Sequence, residues 1–342
     1  MKDVSAVRAE DGFNLLAVHT WLQSILPELT FLPELFQFTS GASNLTYLLK
    51  YADRELVLRR PPKGMKAVSA HDMKREVLIQ SRLRPIYPLV PLVHGLCEDH
   101  SILGSDFYVM DRIPGIILRR DVPEELNDKE IKWIGESLIS GLVDLHRVDA
   151  SILQELNKGP GYVGRQVEGW SKRYRSAFTD DVPDGNTMMR WLAENQPADV
   201  ATCVIHGDWR IDNSVFDLRT KAMVGVLDWE LATVGDPLMD LGSALAYWVD
   251  PNDDPGFASL RRQPSHLQGM PTRNEFVQNY LELSGLRCND FTFYEVFGLF
   301  RLAVIIQQIW ARYRAGQSTN PAFATFGAAV NILMSRAEGL IS

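Results

Sequence analysis

Cysteine is scarce in this 342-residue chain, and Cys97, Cys203 and Cys288 stand far apart. An odd number at such spacing excludes a disulfide framework and supplies none of the paired ligands of a structural zinc site. Free, buried thiols in a reducing compartment are the expected state. Positive charge is also short: 35 Lys and Arg against 43 Asp and Glu leave a net charge of −8. That balance speaks against a broad electrostatic grip on nucleic acid, while leaving room for a local basic pocket. Long apolar runs are missing as well. The longest helical one, around Phe297 to Trp310, is interrupted by Arg301 and two glutamines, and it falls short of the roughly 20 residues that span a bilayer. The amino terminus carries acids early, without the basic-then-apolar order of a signal peptide. A cytoplasmic protein that engages no membrane is therefore expected. There is no internal repeat and no low-complexity tract.

What is present is an ordinary globular composition, 46% hydrophobic and 23% charged. The length exceeds the usual single core of about 100–200 residues, so two lobes are expected. Asn14 to Leu26 has helical spacing ended by Pro27. Three strand-like runs follow, Glu34–Thr39, Thr46–Tyr51 and Glu55–Arg60, joined by Gly41-Ala42-Ser43-Asn44 and Ala52-Asp53-Arg54. A helix over Ala70–Leu83 and strands Leu92–Cys97 and Phe107–Met110 complete a five-stranded antiparallel sheet with one internal helix. The reading is α+β: a small β-rich lobe over 1–110, a hinge over 111–115, and a mainly helical lobe over 116–342. Pro114 and Gly115 mark the hinge. In the larger lobe helical spacing covers Asp128–Arg147, Gly164–Phe178, Asn186–Glu194, Met239–Trp248, Arg273–Leu283, Phe291–Arg314 and about Ala322–Ala337. The stretch from Asp250 to Pro271 reads as a long polar loop, of a length usually functional or disordered.

Two acidic motifs stand between the third and fourth of these helices, after the short β-like runs Cys203–Ile205 and Val224–Leu227. The first is His206-Gly207-Asp208-Trp209-Arg210-Ile211-Asp212-Asn213; the second is Leu227-Asp228-Trp229-Glu230. The first has the spacing H-x-D-x-x-x-x-N of kinase catalytic loops, with Gly207 where protein kinases carry Arg. Phosphoryl transfer needs such a set. One carboxylate orients the attacking hydroxyl and accepts its proton, while an amide oxygen and a second carboxylate hold Mg²⁺ on the phosphates of ATP. Asp208 is then the catalytic base, and Asn213 and Asp228 are the metal ligands. His206 reads as a structural imidazole within the loop. Asp240 falls in the first turn of an apolar helix, where a carboxylate suits the helix dipole. Asp212 and Asp236 fit ordinary turn chemistry.

With this order of elements the chain resembles the aminoglycoside phosphotransferase and choline kinase superfamily over nearly its whole length. The matching residues are Ser40-Gly41-Ala42-Ser43-Asn44-Leu45-Thr46-Tyr47, Val57-Leu58-Arg59-Arg60-Pro61-Pro62, His206-Gly207-Asp208, Asn213, Leu227-Asp228-Trp229-Glu230, and Gly235-Asp236-Pro237 through Asp240-Leu241. The Arg-Arg-Pro-Pro run points within it to the phosphotransferase-like domains related to those fused to acyl-CoA dehydrogenases. The resemblance implies a two-lobed, protein-kinase-like fold and an O-phosphotransferase using ATP, with GTP as the other candidate, and Mg²⁺.

It also implies site residues. The Gly41–Asn44 loop would lie over the ATP phosphates, with its backbone N–H groups and the Ser43 hydroxyl as donors and Asn44 also at the nucleotide. Arg59 stands where kinases carry a phosphate-binding Lys; it keeps the charge but not the geometry of Lys. Arg60 should face the other side of a regular strand. Glu76 is the candidate partner of Arg59, unless it pairs with Lys74 or Arg75 on the helix surface. The backbone of Arg112 and Ile113 would meet the adenine edge, with Met110 lining that pocket. Asp240 would fix the backbone of the catalytic loop.

The acceptor is a small molecule bearing a hydroxyl. Aminoglycosides or choline would call for acidic or aromatic surfaces around a cation, for which Tyr247, Trp248 and Trp310 are available. Arg261, Arg262, Arg301, Arg312 and Arg314 suit an anionic acceptor instead, and the resemblance to the dehydrogenase-fused domains implies hydroxyacyl groups, as CoA thioesters or free hydroxy acids. A peptide substrate does not fit, because the chain runs from Asp228 to Asp236-Pro237 without D-F-G and A-P-E segments. A nucleotide-binding module without turnover is the alternative from another class, although it would be marked by loss of Asp208, Asn213 or Asp228. A metal phosphohydrolase would want several clustered histidines, which His206 lacks.

Overall fold

The structure is a computed structural model that describes residues 3–39, 44–62, 72–123, 126–318 and 320–341. The chain groups into two compact units, one of Met1–Gly115 with Val224–Ala232 and the other of Ile116–Met223 with Thr233–Ser342.

The first unit is built on an antiparallel sheet. Its strands are β1 (Val4–Ser5), β2 (Glu34–Phe38), β3 (Leu45–Lys50), β4 (Glu55–Arg60), β5 (Val93–Cys97) and β6 (Phe107–Asp111), in the order β1-β2-β3-β4-β6-β5. The sheet therefore has six strands among the described residues, where five were expected. The extra strand, β1, is two residues long, and a period of two cannot be read from two residues. Among the described residues three α-helices belong to this unit: α1 (Leu15–Ile25), α2 (Met73–Leu83) and α3 (His100–Leu103). Asn14 caps α1 and Asp72 caps α2, each accepting a backbone N–H three residues on.

Alternation along β4 decides what each residue does. Leu56 and Leu58 face a core made with Val18, Leu22, Tyr47, Leu49, Phe107 and Val109. Val57 faces the other side, with Met73, Tyr108 and Met110. Arg59 follows Val57 and is paired opposite Tyr108 of β6. Arg60 turns the other way and is 1% exposed. It donates to Tyr47 Oη at 2.8 Å and to the Asp11 carbonyl at 2.7 Å, with its guanidinium 5.4 Å from the Tyr47 ring centre. Arg60 is thus a core fastener.

The second unit is mainly helical. It holds α4 (Asp128–His146), α5 (Tyr162–Ser176), α6 (Asn186–Glu194), β7 (Cys203–Ile205) and β8 (Ser214–Asp217). Next, β9 (Ala222–Val226) straddles the boundary and leads into the 224–232 segment of the first unit. Then come β10 (Thr233–Gly235), antiparallel to β7, and α7 (Pro237–Leu245), α8 (Pro255–Ser259), α9 (Arg273–Ser284), α10 (Thr292–Arg314) and α11 (Phe326–Gly339). Asn127 and Glu130 form a capping box on α4, as do Thr272 and Glu275 on α9.

At 23 residues, α10 is longer than its apolar run suggested, and by length and composition it would suffice for a membrane span. Of its most apolar window, 67% is buried inside the protein, which is the state of a core helix. It crosses α7 with backbone against backbone: a Cβ on Gly298 would lie 2.0 Å from the Gly242 carbonyl oxygen. This approach brings Asp240, two residues before Gly242, and Arg301, one turn after Gly298, to the same loop.

The Asp250–Pro271 stretch is packed rather than loose, and it contains α8. Arg273 grips Asp253 through both terminal nitrogens, at 2.6 and 2.7 Å. Arg336 pairs with Asp253 at 3.0 Å and lies 4.1 Å from the Phe257 ring centre. Trp248 Nε1 donates to the Pro271 carbonyl at 2.9 Å.

Candidate active site

One polar cluster forms within the first unit around Arg59. Its Nη2 donates to Asp228 Oδ1 at 2.7 Å and to Glu230 Oε2 at 2.8 Å, and its Nε lies 3.5 Å from Glu76 Oε2. Glu76 is supported in turn: Tyr108 Oη donates to its Oε1 at 2.8 Å, and Gln80 Nε2 donates to Tyr108 Oη at 3.1 Å. Asn44 Nδ2 donates to Glu230 Oε2 at 2.9 Å. Arg75 donates to the Glu230 and Ala232 carbonyls, which anchors the segment carrying both acids.

Three carboxylates therefore share one guanidinium. Burial pushes the Glu76 carboxyl up, with Asp228 adding to the shift and Arg59 opposing it. Burial works against the Arg59 charge, yet Glu76 and Asp228 more than offset it and keep Arg59 firmly cationic. Asp228 has the left-handed backbone, φ 67°, that Asp and Asn tolerate better than most residues. The cluster carries surplus negative charge, which favours a metal ion.

Of the other positions expected at the nucleotide, Ser43 lies outside the described residues. Met110 is 8% exposed and packs on Val57. Arg112 is tied to Glu55 by its side chain, and its N–H donates to the Glu55 carbonyl at 3.2 Å. The Ile113 N–H has no protein acceptor among the described residues, and its side chain covers Gly225.

The second cluster belongs to the second unit and surrounds Asp208. Asp240 accepts from the His206 and Gly207 N–H groups, at 2.8 Å each. His146 Nε2 donates to Asp240 at 3.1 Å, while its Nδ1 accepts from Tyr280 Oη at 2.7 Å. Burial would raise the Asp240 carboxyl, but the hydrogen bonds from His146 and from the His206 N–H hold it below the usual range. Gly207 has φ 79°, a conformation glycine adopts freely, and its carbonyl accepts from Arg301 Nη2 at 2.6 Å. His206 is fully buried, accepts the Asp208 N–H at 3.2 Å through Nδ1 and stands edge-on to Trp209. It is part of the loop's scaffold.

Asn213 Nδ2 donates to the Asp208 carbonyl at 2.9 Å and to its carboxylate at 3.1 Å. That leaves Asn213 Oδ1 without a hydrogen-bond partner among the described residues. Arg210 pairs with Asp208 at 3.3 Å and Asp212 at 3.2 Å, its guanidinium 4.8 Å from the Tyr247 ring centre. Burial raises the Asp212 carboxyl against the pull of Arg210. Gln263, from the packed 250–271 stretch, accepts the Ile211 N–H at 3.0 Å and donates to the Tyr247 carbonyl at 3.2 Å.

Among the described residues, no group of three or more His, Cys, Asp or Glu side chains is arranged for a metal. Mg²⁺ does not need one, since it commonly takes one or two protein oxygens and keeps its waters. Asn213 Oδ1 and the part-exposed Asp228 carboxylate are oxygens of that type. Sequence reading left Arg210, Gln263, Tyr108, Gln80 and Glu230 without roles. For Glu230 a signal was present, because it closes the Leu227–Glu230 motif.

The five arginines considered for an anionic acceptor separate. Arg314 pairs with Asp180 and Asp181, Arg261 donates to the Arg120 carbonyl, and Arg262 and Arg312 are exposed. Of these, among the described residues, only Arg301 is hydrogen-bonded to the 206–213 loop. Among the aromatics, Trp248 is core beside Phe276 and Trp310 is bonded to Asp181.

The chain is similar to known proteins in sequence and in fold. Residues 34–276 match the model of the Phosphotransferase enzyme family. The chain is 38% identical over 291 residues to Acyl-CoA dehydrogenase family member 10 of Mus musculus, which is 84% of this chain and 27% of that protein. It thus spans about a quarter of that relative's length. A solved structure from Ralstonia eutropha, assigned to the aminoglycoside phosphotransferases, is 26% identical with a TM-score of 0.78, covering 96% of this chain and 99% of the other. The streptomycin–ATP ternary complex of APH(2'')-IIa shares the fold at 15% identity and a TM-score of 0.55, covering 86% of this chain and 90% of that one. By its fold, its two acidic motifs and the match over most of its length, this chain belongs to the phosphotransferase enzyme family.

Proposed function

We propose that this protein transfers the γ-phosphoryl group of ATP, with Mg²⁺, to the hydroxyl of a small acidic acceptor, a hydroxy acid or its CoA thioester. The observation that carries the reading is the frame around Asp208. Asp240 holds the loop before it by two N–H groups, and Asn213 holds its carboxylate by the side-chain amide. A carboxylate held this way can accept the hydrogen bond of an acceptor hydroxyl, orient its oxygen toward phosphorus and take the proton as the P–O bond forms. General-base help of this kind contributes about 10²–10⁴-fold in rate.

Asn213 Oδ1 and Asp228 would hold the metal, which when bound neutralises charge on the phosphate oxygens. Arg59, kept cationic by its acids, is the phosphate-binding group of the first unit. To grip phosphate it exchanges bonds to Asp228 and Glu230 for bonds to the nucleotide. An acidic acceptor is favoured over a polycationic antibiotic by the local charge. Asp208 and Asp212 are bridged by Arg210, Asp240 is met by His146, and Arg301 adds a further positive charge beside the same loop.

The test is Mg²⁺-dependent release of ADP or GDP from the two nucleoside triphosphates, across hydroxyacyl-CoAs, hydroxy acids, aminoglycosides, choline and sugars. Release with the acidic acceptors, abolished by chelation, is the expected result. Turnover of the cationic acceptors alone would overturn the acceptor class. Nucleotide binding without turnover on any acceptor would overturn the transferase reading.

A further inference from the structure

We infer that Arg301, backed by Trp170, is the receptor for the negatively charged group of the acceptor, a carboxylate carried a few bonds from the reacting hydroxyl. This rests on the proposed acidic acceptor and names the residues that would recognise it. Arg301 interrupts the apolar stretch of α10 and is 7% exposed. A guanidinium buried to that degree is normally matched by a carboxylate. None lies within ion-pair distance of Arg301 among the described residues, whereas the partly buried Arg59 and Arg273 each have three. Among the described residues Arg301 makes one hydrogen bond, to the Gly207 carbonyl, and lies on the Trp170 ring, whose centre is 5.2 Å from its Cζ.

The position is specific. Gly207 directly precedes Asp208, so Arg301 is hydrogen-bonded one residue from the proposed base. Adjacent Cα atoms are about 3.8 Å apart, which limits the span from hydroxyl to anion to that of a short chain. The surroundings add positive charge. Arg173 lies on the same indole, 4.7 Å from its centre. The nearby acids Asp208, Asp212 and Asp240 already have the cationic or N–H partners described above. A planar guanidinium fork on an aromatic face matches a carboxylate through two parallel hydrogen bonds, which an ammonium group cannot reproduce.

Direct binding tests this without depending on turnover. The intact protein is titrated by calorimetry, with a non-hydrolysable ATP analogue and Mg²⁺, against three- to six-carbon hydroxy acids and their primary amides. The wild type should bind at least one acid, and that acid roughly 10- to 100-fold more tightly than its amide, the range expected when a charged hydrogen bond is lost. Arg301→Gln should erase that preference while its affinity for the nucleotide analogue reports the fold. Should Arg301→Gln not fold, Arg301→Lys and Trp170→Leu serve: each should lower acid affinity by about tenfold with little change for the amide. Equal binding of acid and amide by the wild type, no binding of any acid, or an undiminished preference in the variants would overturn the assignment. Tight acid binding without phosphoryl transfer would leave the receptor standing and refute the transferase reading.

Discussion

The side-chain amide of Asn213 donates to both the carbonyl and the carboxylate of Asp208, at 2.9 and 3.1 Å. One group thereby orients the proposed base, and its own oxygen is the proposed metal ligand. Asn213→Ala should lose both effects. Half-saturating Mg²⁺ should rise at least about tenfold and kcat should fall about 100-fold. Asn213→Asp keeps a ligand oxygen but sets a second carboxylate against Asp208, so added Mg²⁺ should restore only part of the rate. Initial rates over a Mg²⁺ series check this; an unchanged Mg²⁺ dependence in Asn213→Ala would remove Asn213 from the metal set.

Arg59 is the cation shared by Glu76, Asp228 and Glu230. Its removal strands three acids, two of them nearly buried, and breaking such a set costs about 3–5 kcal/mol. Arg59→Ala should therefore lower the midpoint of urea unfolding clearly. Arg59→Lys should be milder in stability yet still raise KM for ATP, because Lys offers a point charge where Arg offers a fork. Equal stability of Arg59→Ala and wild type would show that the acids do not depend on Arg59.

Asp240 sets an acid limb on stability. Its folded pKa is depressed, so the stability it contributes is present above the unfolded value near 3.9 and is lost as pH falls through the folded value. Glu76 has a raised pKa and the opposite sign, its contribution declining as pH rises. Asp240→Asn should be less stable at pH 7 by about 3–5 kcal/mol, and the gap to wild type should narrow in acid. Urea unfolding at pH 7 and near pH 3.5 measures it; a gap that stays constant would mean Asp240 is not held ionised by its partners.

Gly298 permits the contact between α7 and α10. A methyl group there would sit 2.0 Å from the Gly242 carbonyl oxygen, a backbone atom that cannot turn aside. Gly298→Ala should cost at least about 1–3 kcal/mol and reduce transfer, because Asp240 and Arg301 reach the catalytic loop from these helices. Thermal unfolding reads the first effect and ADP release the second. A stable variant with wild-type transfer would show that the crossing has slack.

Much of this is legible in the sequence where chemistry is local. Asp208 and Asn213 stand out because the spacing of a short loop is fixed by what it must bind, and alternation along β4 alone separates Arg59 from Arg60. Partnerships formed across long separations are not legible. Arg301 meets Gly207 across 94 residues, and Tyr108 meets Glu76 across 32. Helix packing and sheet register create these contacts, and neither leaves a periodic trace. The 250–271 stretch reads as loose for the same reason. Its polar residues look solvated until Arg273, at the start of the next helix, and Arg336, from the last one, are seen to hold them.

The central claim is that Asp208 acts on the acceptor hydroxyl and has no part in holding the nucleotide. The most direct measurement is Asp208→Ala in two assays on one preparation: phosphoryl transfer to the acceptor turned over by the wild type, and calorimetric affinity for Mg²⁺ with a non-hydrolysable ATP analogue. The account predicts a loss of about 10²–10⁴-fold in kcat with nucleotide affinity within about threefold of wild type. Transfer at the wild-type rate in the variant would contradict it.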